Sequence, residues 1–110
     1  MNGCSIQNNS CEFTIDQQKF DVMFLTTPIP EEEIRFSIQS NREFELISGW
    51  VEGINMYMGK SPVIIESTTP TNVNALLFLG SCNLETMEWQ ITLNVKNKTH
   101  PIQVRFFTIL

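Results

Sequence analysis

The stretch TMEWQITLNV, Thr86–Val95, decides the fold class. Met87, Trp89, Ile91, Leu93 and Val95 occupy every second position, with Glu88, Gln90, Thr92 and Asn94 between them. Side chains of an extended strand alternate between two faces, so one face meets a core and the other turns out. A helix would repeat its apolar residues at intervals of three and four, and no window of helical length in the chain keeps such a stripe. Outward from this segment, EIRFSIQS repeats the alternation with Ile34, Phe36 and Ile38, and KFDVMFLTT does so with Phe20, Val22 and Phe24. CEFTI from Cys11, SPVIIEST from Ser61, NALLFLG from Asn74 and IQVRFFTIL from Ile102 supply further strands. Turn-forming or acidic breakers separate them: PIPEEE from Pro28, SNR from Ser40, TPTN from Thr69 and KNKTHP from Lys96.

Short alternating segments at this turn spacing predict an all-β domain, an immunoglobulin-like β-sandwich of about seven or eight antiparallel strands. A small β-barrel is the alternative closure. The segment EFELISGWVEGINMYM, from Glu43, is long for one strand, and glycine inside a strand marks a bend or bulge. It reads as two strand pieces meeting near Gly49 and Gly53. The chain of 110 residues suits one core. Residues 1–10 read as a polar N-terminal tail and 11–110 as a single domain.

Composition removes several functions. A net charge of −5, with the seven basic residues scattered, argues against the basic face that nucleic acid or an anionic membrane surface requires. No apolar run approaches the ~20 residues needed to span a bilayer. MNGCSIQNNS lacks the basic start and apolar middle of a signal peptide, which leaves a cytoplasmic protein or a trimmed mature domain. The three cysteines are Cys4, Cys11 and Cys82. A Cys11–Cys82 disulfide would close a long loop, worth roughly 4 kcal/mol on the chain-entropy model, and would need an oxidising compartment. Three separate thiols are the other reading. Cys4, in the polar tail, could be a lipid-attachment cysteine. Asn8 and Asn97 match the glycosylation acceptor pattern, which has meaning only in a eukaryotic secretory setting.

GWVEGINMYMGKSPVIIE, from Gly49, holds Met56 and Met58 one residue apart. In core phase, methionine packs against aromatic rings and fills irregular gaps. Thioether sulfur is also a soft ligand that selects Cu(I). On an extended strand both sulfurs would project to one side, where Met87 or His100 could complete a site and Trp50 or Trp89 could cap it. These residue types resemble those of periplasmic copper carriers of the small β-barrel type, whose tryptophan lies nearer the Met pair than Trp50 does here. A lone histidine and cysteines without C-x-x-C spacing argue against zinc. For catalysis, a Cys82–His100 thiol pair has no orienting third group, and MGKS lacks the upstream glycine of a phosphate loop. No enzyme is expected.

WVEGINMYMGKSPVIIE, from Trp50, and LFLGSCNLETMEWQITL, from Leu77, resemble a small uncharacterised bacterial family carrying W-V-E-G-x-N-M-Y-M-G-K and L-G-x-C-x-x-x-x-M-x-W. The resemblance covers about a third of the chain. It implies an exported, periplasmic or membrane-anchored protein, groups Met56, Met58, Cys82, Met87 and Trp89 in one shared feature, and carries no established activity. Two functions follow. One is Cu(I) binding through Met56, Met58 and Met87, with Trp89, Cys82 and His100 as accessory residues. The other is a protein-interaction module of the cell envelope, meeting a protein partner through Trp50, Tyr57 and Lys60, with the methionines structural. The first requires two thioethers at one accessible point. The second requires an exposed apolar patch or an uncovered strand edge.

Overall fold

The computed structural model describes residues 3–80 and 84–109. Among the described residues the chain forms ten strands: β1 (Gly3–Ser5), β2 (Ser10–Ile15), β3 (Gln18–Phe24), β4 (Glu33–Ser40), β5 (Leu46–Gly53), β6 (Lys60–Pro62), β7 (Ile64–Thr69), β8 (Asn72–Phe78), β9 (Thr86–Val95) and β10 (Ile102–Ile109). They make two five-stranded sheets, ordered β1-β10-β9-β5-β6 and β2-β3-β4-β8-β7. The sheets pack as a sandwich, as the alternation predicts, and do not close into a barrel. The chain changes sheet after β1, β4, β6 and β8.

The alternating residues place the core. Phe20, Val22 and Phe24 of β3 and Ile34, Phe36 and Ile38 of β4 are all buried, facing Ile91, Leu93, Val104 and Phe106 of the first sheet. Phe24 joins the two sheets, with its ring edge-on to Phe106 at 4.9 Å between centroids and to Phe36 at 6.2 Å. Edge-to-face contact of this kind adds to simple burial because ring edges are positive and faces negative.

The strand count exceeds the expectation for two local reasons. SPVIIEST is not one strand. It splits at Val63, where the chain crosses between sheets, and Val63 N–H donates to the Gly49 carbonyl at 2.9 Å. Gly49 makes room for this crossing, since a Cβ there would lie 3.2 Å from the Val63 side chain and 2.9 Å from the Thr92 carbonyl oxygen. The second reason is β1. The segment read as a polar tail contains a strand parallel to β10, with Gly3 opposite Gln103 and Ser5 opposite Arg105. Three residues are too few for alternation to be visible in sequence. EFELISGWVEGINMYM, in turn, holds one strand and not two. β5 ends at Gly53, and a bulge sits between Leu46 and Ser48 and leaves Ile47 exposed.

The expected Cys11–Cys82 bridge is corrected. Cys11 is bonded to Cys4, with Cα atoms 5.9 Å apart. β1 lies on the edge of the first sheet and β2 on the edge of the second, so the turn between them brings the two cysteines face to face. Cys82 lies outside the described residues. Closing a separation of 7 residues is worth about 2.5 kcal/mol on the chain-entropy model, less than the long loop would have given. Cys11→Ser should therefore lower unfolding free energy in urea by roughly 2–3 kcal/mol, matching the effect of reducing the unaltered protein. Cys82→Ser should leave the midpoint in place. A loss in Cys82→Ser equal to that in Cys11→Ser would refute the pairing.

Candidate functional site

Residues 54–59, between β5 and β6, carry the methionine pair, and one side chain sets their path. At Gly53 the chain leaves the sheet, and Ile54 N–H still donates to the Glu88 carbonyl at 2.8 Å. Asn55 then replaces a peptide group with its amide. Its Nδ2 donates to the Thr86 carbonyl and its Oδ1 accepts from Glu88 N–H, each at 3.0 Å. A side-chain amide has the donor and acceptor of a peptide unit, so the start of β9 stays satisfied while the backbone turns away. Gly53 permits that turn, because a Cβ there would overlap the Met56 carbonyl oxygen and Met87 Cε. Gly59, at φ +83°, adopts the left-handed conformation that leads into β6.

The methionines therefore do not sit on a strand, and the argument that alternation aims both sulfurs to one side does not apply. Met56 is 38% exposed, Met58 is half-buried against the core, and Met87 is 2% exposed within it. Near Gly53, Met87 Cε lies close to the backbone carbonyl of Met56, whereas Met58 turns its Cε toward Gly80. Trp89 is a core residue whose Nε1 donates to Thr108 Oγ1 at 2.9 Å. His100 lies beyond the far end of β9 from Met87. That ten-residue strand is about 30 Å long at ~3.3 Å per residue, so His100 cannot complete a site with these sulfurs. Among the described residues no three His, Cys, Asp or Glu side chains converge as metal ligands.

Trp50 is on the opposite face of the sheet from Met87 and Trp89. Cross-strand register sets Gln103, Thr92, Trp50 and Pro62 in one outward row and Arg105, Gln90, Glu52 and Lys60 in the next. Lys60 Nζ stands 4.6 Å from the Trp50 ring centroid, a cation–π contact. Arg105 donates to Gln90 Oε1 at 3.0 Å and pairs with Glu88 at 3.4 Å. Gln90 and Thr92 turn outward, as the alternation predicts, yet both are buried. The long side chains of the flanking strands lie across the middle strand, their stems covering what their charged ends do not. Trp50 Nε1 is buried without a hydrogen-bond partner among the described residues.

Beyond these polar rows the face becomes apolar. Phe107, opposite Glu88, is 58% exposed, and Ile109, opposite Thr86, is 72% exposed. Ile54 lies across Glu88 from Phe107, and Tyr57, in the loop beyond it, is 69% exposed. Of the residues expected to contact a partner, Trp50 and Lys60 touch each other and Tyr57 stands out at the loop. Sequence reasoning missed Ile54, Phe107 and Ile109. The signal was the doublet Phe106–Phe107, which puts aromatic rings on both faces of one strand. On the other sheet, Arg35 is held above the usual arginine range by its hydrogen bond to Glu66, with Glu33 adding to it, and Glu12 does the same for Lys19. Both are exposed surface pairs.

No family model, no curated protein and no solved structure matches the chain.

Asn55→Ala should remove both amide bonds and cost about 1 kcal/mol, since each is exposed. The clearer effect is local: hydrogen exchange at the Glu88 amide should accelerate by about tenfold, as expected for the loss of one protecting bond. Unchanged exchange there would mean that Asn55 does not hold the loop.

Proposed function

We propose that the chain is a non-enzymatic protein-interaction domain of the bacterial cell envelope. Its binding face is the end of the first sheet that carries Ile54, Tyr57, Phe107 and Ile109. The observation that supports this reading is the gathering of these exposed apolar side chains beside the Arg105–Glu88 pair and the Lys60-covered Trp50. An apolar centre with a charged rim is the composition of a protein interface, whereas scattered single apolar residues would carry no such meaning. The Cys4–Cys11 disulfide supports an oxidising compartment, in keeping with the exported character implied by the motif resemblance.

A photo-crosslinking amino acid placed at position 57 or 107, in cells that make the protein, should yield adducts of discrete mass. The same probe at Gln39, exposed on the other sheet, should not. Equal labelling at all three positions would remove the proposal.

Cu(I) binding is the second reading, favoured by the exposure of Met56 in the same short loop as Met58. Burial of Met87 argues against a three-sulfur site, because a core thioether reaches no common solvent-accessible point with the others. Under the first reading, titration of Cu(I) against a competing chelator gives the same curve for the unaltered protein and for Met56→Leu/Met58→Leu. Leucine keeps volume and apolarity, so the fold survives the test. Tight one-to-one binding lost in the double variant would put copper first.

A further inference from the structure

Few contacts hold β1 to its sheet. It pairs with β10 over three residues, Gly3–Ser5, and the contact ends with Ile6 N–H donating to the Arg105 carbonyl at 2.8 Å. None of the three residues is buried. Gly3 has no side chain to add, and the Gln103 carbonyl oxygen stands where a Cβ would go. The nearest apolar anchor is Ile6, itself half-buried against the core. Ordering the backbone of one residue costs about as much as one net hydrogen bond contributes. A ladder of three residues without buried side chains therefore sits near balance.

The second tie is covalent. Cys4 of β1 is bonded to Cys11 of β2, and β2 is paired with β3 at every residue from Ser10 to Ile15. The disulfide thus fastens a weakly held strand of one sheet to a firmly paired strand of the other. The turn between them does not replace it. Asn8 and Asn9, both in the left-handed region, let Gln7 exchange backbone bonds with Ser10 at 2.9 and 3.2 Å, and these bonds stop short of Gly3–Ser5. Cys4 and Cys11 are half-buried and not enclosed in the core.

We propose that the Cys4–Cys11 bond is a redox-sensitive clasp on β1. The reductant is a dithiol. Its thiolate attacks one of the two sulfurs, and its second thiol resolves the mixed disulfide. Two electrons and two protons pass to Cys4 and Cys11, which become thiols, and the dithiol becomes a disulfide. β1 then leaves β10, whose β1-facing side is open from Gln103 onward, while β2 stays on β3. Unpaired backbone of this kind is a template for pairing with another chain, so the oxidised form is the closed one.

Hydrogen exchange, read amide by amide by NMR on the unaltered chain before and after reduction with dithiothreitol, tests the clasp. Arg105 turns its backbone groups toward β1, as its bond from Ile6 shows, whereas those of Val104 and Phe106 face β9. Reduction should speed exchange at the Ile6 and Arg105 amides by about tenfold or more and leave Val104 and Phe106 as they were. Reoxidation with glutathione disulfide should restore the first rates. Cys4→Ser should show the fast rates without reductant; the measurement on the unaltered chain stands if that variant fails to fold. Unchanged exchange at Ile6 and Arg105 would mean that the ladder holds β1 alone, and would overturn the clasp. Equal acceleration at all four amides would overturn it too, because reduction would then loosen the whole domain. So would fast exchange that persists after reoxidation.

Discussion

β9 is buried on both faces, and the other elements depend on that constraint. Its inner side chains, from Met87 to Val95, meet the second sheet, while Gln90 and Thr92 on its outer side are covered by residues of β5 and β10. From Trp89 to Leu93 the strand must give its backbone groups to neighbours, since its side chains there are buried on both faces. The pairing partners on either side are thereby obligatory, which fixes the register of the first sheet. Phe24 and Phe106 then set how the second sheet lies on it.

Most of the fold was legible because alternation survives wherever one face is buried and the strand is long. Ile34, Phe36 and Ile38 in β4, and Phe20, Val22 and Phe24 in β3, were readable residue by residue. What escaped was short or locally irregular. β1 and β6 have too few residues to show a period, and the bulge after Leu46 breaks the period of β5. The disulfide escaped for a different reason: cysteine spacing says nothing about which strands the topology brings together, and here β1 meets β2 only because it first lies along β10.

The site was less legible than the fold. The M-x-M pair looked like strand alternation, but Asn55 ends the strand before it by taking over two backbone bonds with its amide. No periodicity reports such a substitution, since it depends on the Thr86 and Glu88 backbone lying within reach. Trp50 and Lys60 were singled out as interaction residues, but their contact with each other depends on the pairing of β5 with β6. Their separation from the methionines was hidden, because Trp50 and Met87 sit on opposite faces of the same sheet.

The parallel pairing of β1 with β10 bears on the order in which the domain can assemble. It joins the first and last strands described, so this contact closes a loop of 100 residues, from Gly3 to Gln103, and cannot form until Gln103–Arg105 have been synthesised. The bond between Cys4 and Cys11 spans only 7 positions. It can close as soon as both residues emerge, and so hold the β1–β2 corner ready for β10, which follows much later in the chain.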